Sequence, residues 1–270
     1  MGTEAAPFAK IAELDLILFL HSCYFSIELA KTTIDNFYTY RTHSPEMFSN
    51  CNPTNSALRL TLDNIFFADL PKRSPEGYRI LLCKLVNLNA NVYQFNNHAK
   101  LFDMCVMQSY HENGPAEGLI VIIDMQAFTV SHLMKVHALQ MKKVLMYLQE
   151  ALPVRLKALC YLHTGSVMDG LMAIMKPFLK PSLTEVFHFF TNPEEMFKLI
   201  PKECLPSDYG GGLDSIKTLH GIMIKRYLEN KSFFQEEDKY VVDESKRPGK
   251  PKNVNDIFGI EGSFKKLDID

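Results

Sequence analysis

The stretch PVRLKALCYLHTGSVMDGLMAIMKPFL, Pro153 to Leu179, changes its period halfway. ALCYL (158–162) is a short apolar run behind a proline and reads as a β-strand. From Ser166 the apolar residues fall at helical spacing. On a wheel of about 100° per residue, Val167, Met168, Leu171, Met172, Ile174, Met175, Phe178 and Leu179 share one broad face. Ser166, Asp169, Gly170, Ala173 and Lys176 lie opposite. An ordinary core helix satisfies that periodicity on its own. Two features point further. Methionine is unbranched and conforms to varied shapes, so a methionine-bearing face can fit an apolar guest and also close without one. Pro177 removes a backbone donor and bends a helix, which suits an element that moves. Lys176 and Lys180 flank the bend, placed to face anionic lipid headgroups if the helix lies on a membrane.

Outward from this segment, strands and helices alternate. YRILLCKLV (78–86) reads as a strand, 92–111 as a helix, and GLIVIID (118–124) as a strand apolar on both faces, which belongs inside a covered sheet. Met134, Ala138, Met141, Leu145, Leu148 and Leu152 form the stripe of a long helix. EVFHFF (185–190) is a further strand, and PEEMFKLI (193–200) a short helix with proline at its first position. Alternation of this kind implies crossover units and a largely parallel sheet covered by helices. Before it, the first fifty residues read as helices. Ile27, Ala30, Ile34, Phe37 and Tyr38 follow a capping signal at Ser26, and Pro45 ends that element. From about Lys231 the chain is charged and reads as a solvated tail laid across the surface.

The 270 residues, 47% hydrophobic with a formal net charge of −2, suffice for one sizeable core and give no global attraction to nucleic acid. No run approaches the roughly 18 apolar residues of a membrane span, and the first residues do not pattern as a secretory signal. Gly2 alone makes only a fragment of a myristoylation motif, since Ala6 stands where Ser or Thr is needed. The six cysteines lack the paired spacing of a zinc site and read as buried thiols of a cytosolic protein.

The motifs of nucleotide chemistry are missing: there is no G-x-G-x-x-G and no P-loop. HTGSVMDG lacks the G-x-S-x-G of a nucleophile elbow, and the nine histidines include no H-E-x-x-H pair. Asp124, at the end of the central strand, is expected to cap the turn through Gln126 and Ala127. His163 and His188 are expected to be structural imidazoles, and Gly210–Gly212 to turn with positive φ above a packed Tyr209.

Four segments in register carry a resemblance. LILFLHSCYFSIELAKTTIDNFYTYRTHSPEMF, GLIVIIDMQAFTVSHL, the opening stretch ending in KPFL, and LPSDYGGG resemble, in order, the N-terminal helices, central strand, strand with lid helix, and closing glycine signature of CRAL-TRIO domain proteins. These are intracellular lipid carriers, and the tail GSFKKLDID is similar to that of the invertebrate alpha-tocopherol transfer protein-like branch. The resemblance implies an α/β CRAL-TRIO fold: a mostly parallel sheet, covering helices and a mobile lid helix, residues 166–183, over an apolar cavity. It divides the chain into an N-terminal helical subdomain (1–57), shorter than the family's, a lipid-binding domain (58–213), and a C-terminal helix with an extended tail (214–270). In family members, basic residues beside the lid contact phosphoinositide headgroups. Arg155 and Lys157 occupy two such positions, while FLHSCYF replaces an arginine-rich run.

The function expected is a cytoplasmic, non-enzymatic carrier that meets anionic membranes transiently. Its ligand would be a hydrophobic small molecule or phospholipid, of tocopherol, retinoid or phosphoinositide type. No cofactor, metal site or catalytic residue is expected. The eight apolar residues named on the lid would close over the ligand. Leu119, Val121, Ile123, Leu159, Tyr161, Phe187 and Phe189 would line the floor, although alternation allows that set or its neighbours. Ser131, matching a pocket position in the tocopherol carrier, would hold a hydroxyl headgroup. Arg155, Lys157, Lys176 and Lys180 would face the membrane. The competing readings are a regulatory scaffold on the same fold and a hydrolase with an unrecognised site.

Overall fold

The structure is a computed structural model and describes residues 11–259. Gly2 and the GSFKKLDID segment lie outside the described residues. The chain begins with helices α1 (Glu13–Ser22) and α2 (Ile27–Thr42), then α3 (Pro45–Phe48) and α4 (Ser56–Asn64). Ser26 caps α2 by accepting from Leu29 N at 3.4 Å, as its residue type favours. Pro45 opens α3 rather than closing α2, which has already ended at Thr42.

Five strands follow: β1 (Ile65–Asp69), β2 (Arg79–Leu85), β3 (Leu119–Asp124), β4 (Leu156–Leu162) and β5 (Phe187–Phe190). Between them run α5 (Phe95–Asn113), α6 (Val130–Leu133), α7 (Ala138–Glu150), α8 (Val167–Met175) and α9 (Pro181–Thr184). The last helices are α10 (Pro193–Met196), α11 (Ile216–Glu229), α12 (Lys231–Glu237) and α13 (Val254–Phe258). The strands stand in chain order, β1 antiparallel to β2 and the rest parallel. The largely parallel, helix-covered sheet expected from the alternation is what forms. The antiparallel edge strand β1, IFFAD, was not read from the sequence, because its aromatic pair continues straight from α4 without a turn residue between them.

The long stripe starts later than its spacing suggests. A turn separates α6 from α7, so Met134 stands 75% exposed while Met141 and Leu145 are buried. Pro177 likewise does not bend one long helix. α8 ends at Met175, and Lys176–Phe178 form a 3₁₀ turn with the proline in its first positions, where a missing N–H costs nothing.

Side-chain alternation sorts the sheet into two faces. Ile80, Leu82, Ile120, Ile122, Ala158 and Cys160 pack on one side. Leu81, Cys83, Val121, Leu159 and Tyr161 pack on the other, in a cluster that reaches from Leu18 in α1 to Phe258 in α13. The C-terminal segment is therefore no solvated tail. It lies across the N-terminal helices as expected, but Phe234, Val242 and Phe258 are buried there. Tyr240 donates to Asp15 at 2.6 Å, and Arg247 to Asp35 at 2.6 Å. Beneath it, buried Arg41 meets Asp103 at 2.7 Å and Glu237 at 3.2 Å. Burial pushes the Glu237 carboxyl up to about 8 against the pull of Arg41.

Of the three glycines at 210–212, only Gly210 has positive φ, at 72°. Gly211 is required for a different reason. A Cβ there would lie 1.8 Å from the Leu205 carbonyl oxygen, a backbone atom that cannot swing aside. Gly211→Ala is expected to destabilise the protein by about 2 kcal/mol or more, in the range of core overpacking. Gly212→Ala, whose Cβ would meet Glu203 Cα at an ordinary 4.0 Å, should change stability by less than about 0.5 kcal/mol. Urea denaturation of the two variants checks the contrast.

Candidate functional site

Over the C-terminal half of β3 and β4 the apolar face does not pack solid. It leaves a cavity of about 130 Å³. Val121 and Ile123 of β3 and Leu159 and Tyr161 of β4 form the floor. Phe95, His98, Ala99 and Phe102 of α5 and Met141, Val144, Leu145 and Leu148 of α7 form the walls. Leu171 and Met175, one turn apart on α8, form the roof. Each wall arises from helical spacing: 95, 99 and 102, like 141, 145 and 148, return to one face.

The roof is held at both ends. Gly170 lets α8 lie close on α6, where a Cβ would come within 2.5 Å of Leu133 Cδ2. The Tyr161 hydroxyl reaches Met175 Sδ at 3.7 Å. Beyond Pro177, Gln149 donates to the Phe178 carbonyl at 3.1 Å and accepts from Lys180 N at 2.7 Å. Before α8, His163 takes φ of 55°, and Gly165 has open space around it.

The expected residues divide by depth. Val121, Ile123, Leu159, Tyr161, Leu171 and Met175 line the cavity. Leu119 shares the floor's face, but it begins β3 and is buried away from the hollow. Phe187 and Phe189 stand behind Tyr161, their rings 5.8 and 5.7 Å from it, with Phe189 45% exposed on the edge strand. Ser131 is exposed on α6 and does not reach the cavity. On α8, Met168 is buried in the surrounding core, Met172 and Ile174 pack against it half-buried, and Val167 is half-buried at the helix start; Phe178 and Leu179, in and after the 3₁₀ turn, also pack half-buried against that core. A helix laid over a hollow turns about one residue per turn into it, so most of the broad apolar face seals the rim.

Three of the four basic residues are engaged. Arg155 donates to the His21 carbonyl at 2.9 Å, lies 3.4 Å from Glu117 and sits 4.1 Å over the Tyr24 ring. Lys157 bonds the Tyr24 hydroxyl at 3.0 Å. Lys180 pairs with Glu150 at 2.5 Å, and Lys176 is exposed.

Asp124 closes one end of the hollow. Its side chain is inaccessible to solvent and accepts from His163 Nδ1 at 2.8 Å, the Tyr209 hydroxyl at 2.8 Å and Gln126 N at 2.9 Å, with Lys84 at 3.2 Å. Burial alone would raise its pKa. The bonds from His163, Gln126 and Tyr209 and the charge of Lys84 outweigh it and hold the carboxyl below its usual value. The turn through Gln126 is capped as expected, and Asp124 also anchors the glycine segment through Tyr209. Among the described residues no serine or cysteine hydrogen-bonds His163. No group of three or more His, Cys, Asp or Glu that could hold a metal occurs among the described residues. Also among them, no helix is long and apolar enough to cross a membrane.

The molecule is thus an α/β protein built around an apolar hollow roofed by a short helix. Residues 66–211, more than half the chain, match the CRAL/TRIO domain model, and the chain belongs to that family. Residues 8–58 match a model described as Pinta-like, UBA domain. Among curated relatives, the alpha-tocopherol transfer protein-like protein of Mus musculus is 27% identical over 75% of this chain and 59% of its own length. Clavesin-1 of Xenopus laevis is 25% identical over 76% of this chain and 63% of its own. The chain thus spans about three fifths of the length of these relatives. Among solved structures, that of Sfh5 superposes with a TM-score of 0.50 at 11% identity, covering 82% of this chain and 81% of that one, a likeness of fold.

Filling the hollow is cheap and filling the opposite, packed face is not. Val121→Phe, which extends into the cavity, is expected to cost less than about 1 kcal/mol. Ile122→Phe, on the packed face, should cost about 1–3 kcal/mol or more. Urea denaturation of both measures the difference.

Proposed function

We propose that this chain is a non-enzymatic carrier that holds one hydrophobic small molecule or lipid beneath α8 and exchanges it at membranes. The observation that carries the reading is the apolar cavity beneath the short helix α8. Each CH₂ taken from water into such a hollow is worth about 0.8 kcal/mol, so a continuous apolar container binds without chemistry. At about 130 Å³ the hollow matches engineered cavities of about 150 Å³ that take up benzene. A larger guest requires Leu171 and Met175 to move outward with α8. A bilayer shelters the apolar face of α8 when it lifts, and that differential affinity drives opening. Membership in the CRAL/TRIO family and relatives named as tocopherol-transfer-like support the same reading. Six buried, unbridged thiols fit a cytoplasmic setting.

Membrane contact is proposed at the turn between α1 and α2. Tyr24, Phe25, Ile27 and Leu29 are 63%, 68%, 62% and 51% exposed, beside Arg155 and Lys157. Apolar side chains beside cations are suited to the interface of an anionic bilayer.

Native mass spectrometry of protein purified from a lipid-rich source should show one co-purified lipid, absent from Val121→Phe. An empty protein that also takes up no lipid from vesicles would sink the carrier reading. Reversing both charges, Arg155→Glu with Lys157→Glu, should weaken binding to phosphatidylserine-containing vesicles by about tenfold or more, at about 1 kcal/mol per basic group. Unchanged sedimentation with those vesicles would remove this surface from the mechanism.

A further inference from the structure

The cavity is not uniformly apolar. Tyr93, two residues before α5, and His98, in its first turn, both border it, and the Tyr93 hydroxyl lies 3.1 Å from His98 Nδ1. The other ring nitrogen, Nε2, has no partner among the described residues. We propose that Tyr93 and His98 form the anchor for the polar end of the carried molecule, and that this end is an uncharged hydroxyl or carbonyl rather than a carboxylate or phosphate. The inference rests on the carrier reading above and narrows its ligand class.

The chemistry of the lining sets the choice. Among the described residues no lysine or arginine lines the hollow. Asp124, its one carboxylate, has both oxygens occupied by His163, Tyr209 and Gln126. Burial pushes the Cys83 thiol up to about 12 and the His98 imidazole down to about 4, so both are neutral near pH 7. The Tyr161 hydroxyl is turned to Met175 Sδ. An anionic headgroup placed here would lose its hydration and gain no countercharge, which is strongly unfavourable. A neutral group meets a matched partner. If Tyr93 donates to Nδ1, then Nε2 carries the proton and donates to the ligand. If Nδ1 donates to Tyr93, then Nε2 accepts. A hydroxyl satisfies either arrangement, while a carbonyl satisfies only the first.

The test uses the full chain and three probes. Pyrene has no hydrogen-bonding group and reports uptake by its fluorescence. 1-Hexadecanol and hexadecanoate share one chain length and compete with it. The wild type should release pyrene at an alcohol concentration about tenfold or more below that of the carboxylate. His98→Phe should bind pyrene within about twofold of wild type yet lose about tenfold in alcohol affinity, the size of one buried hydrogen bond. Tyr93→Phe, which deletes a single oxygen, should lose about three- to tenfold, and it decides the matter if His98→Phe does not fold. Equal competition by alcohol and carboxylate, or unchanged alcohol affinity in a folded variant that still binds pyrene, overturns the anchor while leaving the carrier. A wild type that takes up neither pyrene nor alcohol overturns both.

Discussion

An apolar hollow inside a close-packed protein is expensive, and the rest of this structure depends on keeping one open. At about 24 cal/mol per Å³, a hollow of about 130 Å³ costs about 3 kcal/mol relative to a filled core. The surrounding elements resist collapse because each is held from behind. The floor strands are backed by the packed cluster of Ile80, Ile120 and Cys160. The walls α5 and α7 are held against the N-terminal helices through Arg41 and Tyr147, which both reach Asp103. The buried C-terminal segment covers that junction. The roof, α8, packs on α6 and α7 through Met168, Leu171 and Met175.

Charge is managed so that none of it enters the hollow unpaired. Asp124 is quenched by three hydrogen bonds and Lys84 at one end. Arg41 and its carboxylates sit outside the lining. Arg155 and Lys157 are committed to the α1–α2 turn, under an exposed aromatic knob. The result is a hollow whose one carboxylate is paired, with the Tyr93–His98 pair beside it and a charged rim. That separation is what a carrier of an uncharged amphiphile needs.

Much of this was legible. The change of period between 158–162 and 166–179 marked the strand and the covering helix, and two-sided apolar runs marked a sheet covered on both faces. The methionines and the proline raised the expectation of an adaptable roof; of the two, Pro177 ends α8 instead of bending it. What escaped notice lacked a local signal. β1 has no punctuation before it. The C-terminal segment looked polar because its anchors, Phe234, Val242 and Phe258, are spaced singly among charges. Tyr93 and His98 escaped because a lone histidine in a helix reads the same whether it faces a hollow, a core or water. Ser131 drew attention through resemblance, yet the first turn of α6 carries it outward.

The amino-acid sequence by itself determined most of the elements, their alternation and the sheet class, since these follow from periodicity and turn chemistry within short windows. It could not choose between Val121 and Ile122, because GLIVIID is apolar on both sides and a strand's two faces are then equivalent. Only the tertiary structure decided that Val121, Ile123, Leu159 and Tyr161 face the hollow while Ile120 and Ile122 face the packed side. Whether an apolar face borders a void or a neighbour is set by how far apart helices from distant parts of the chain come to rest, and no local pattern encodes that distance.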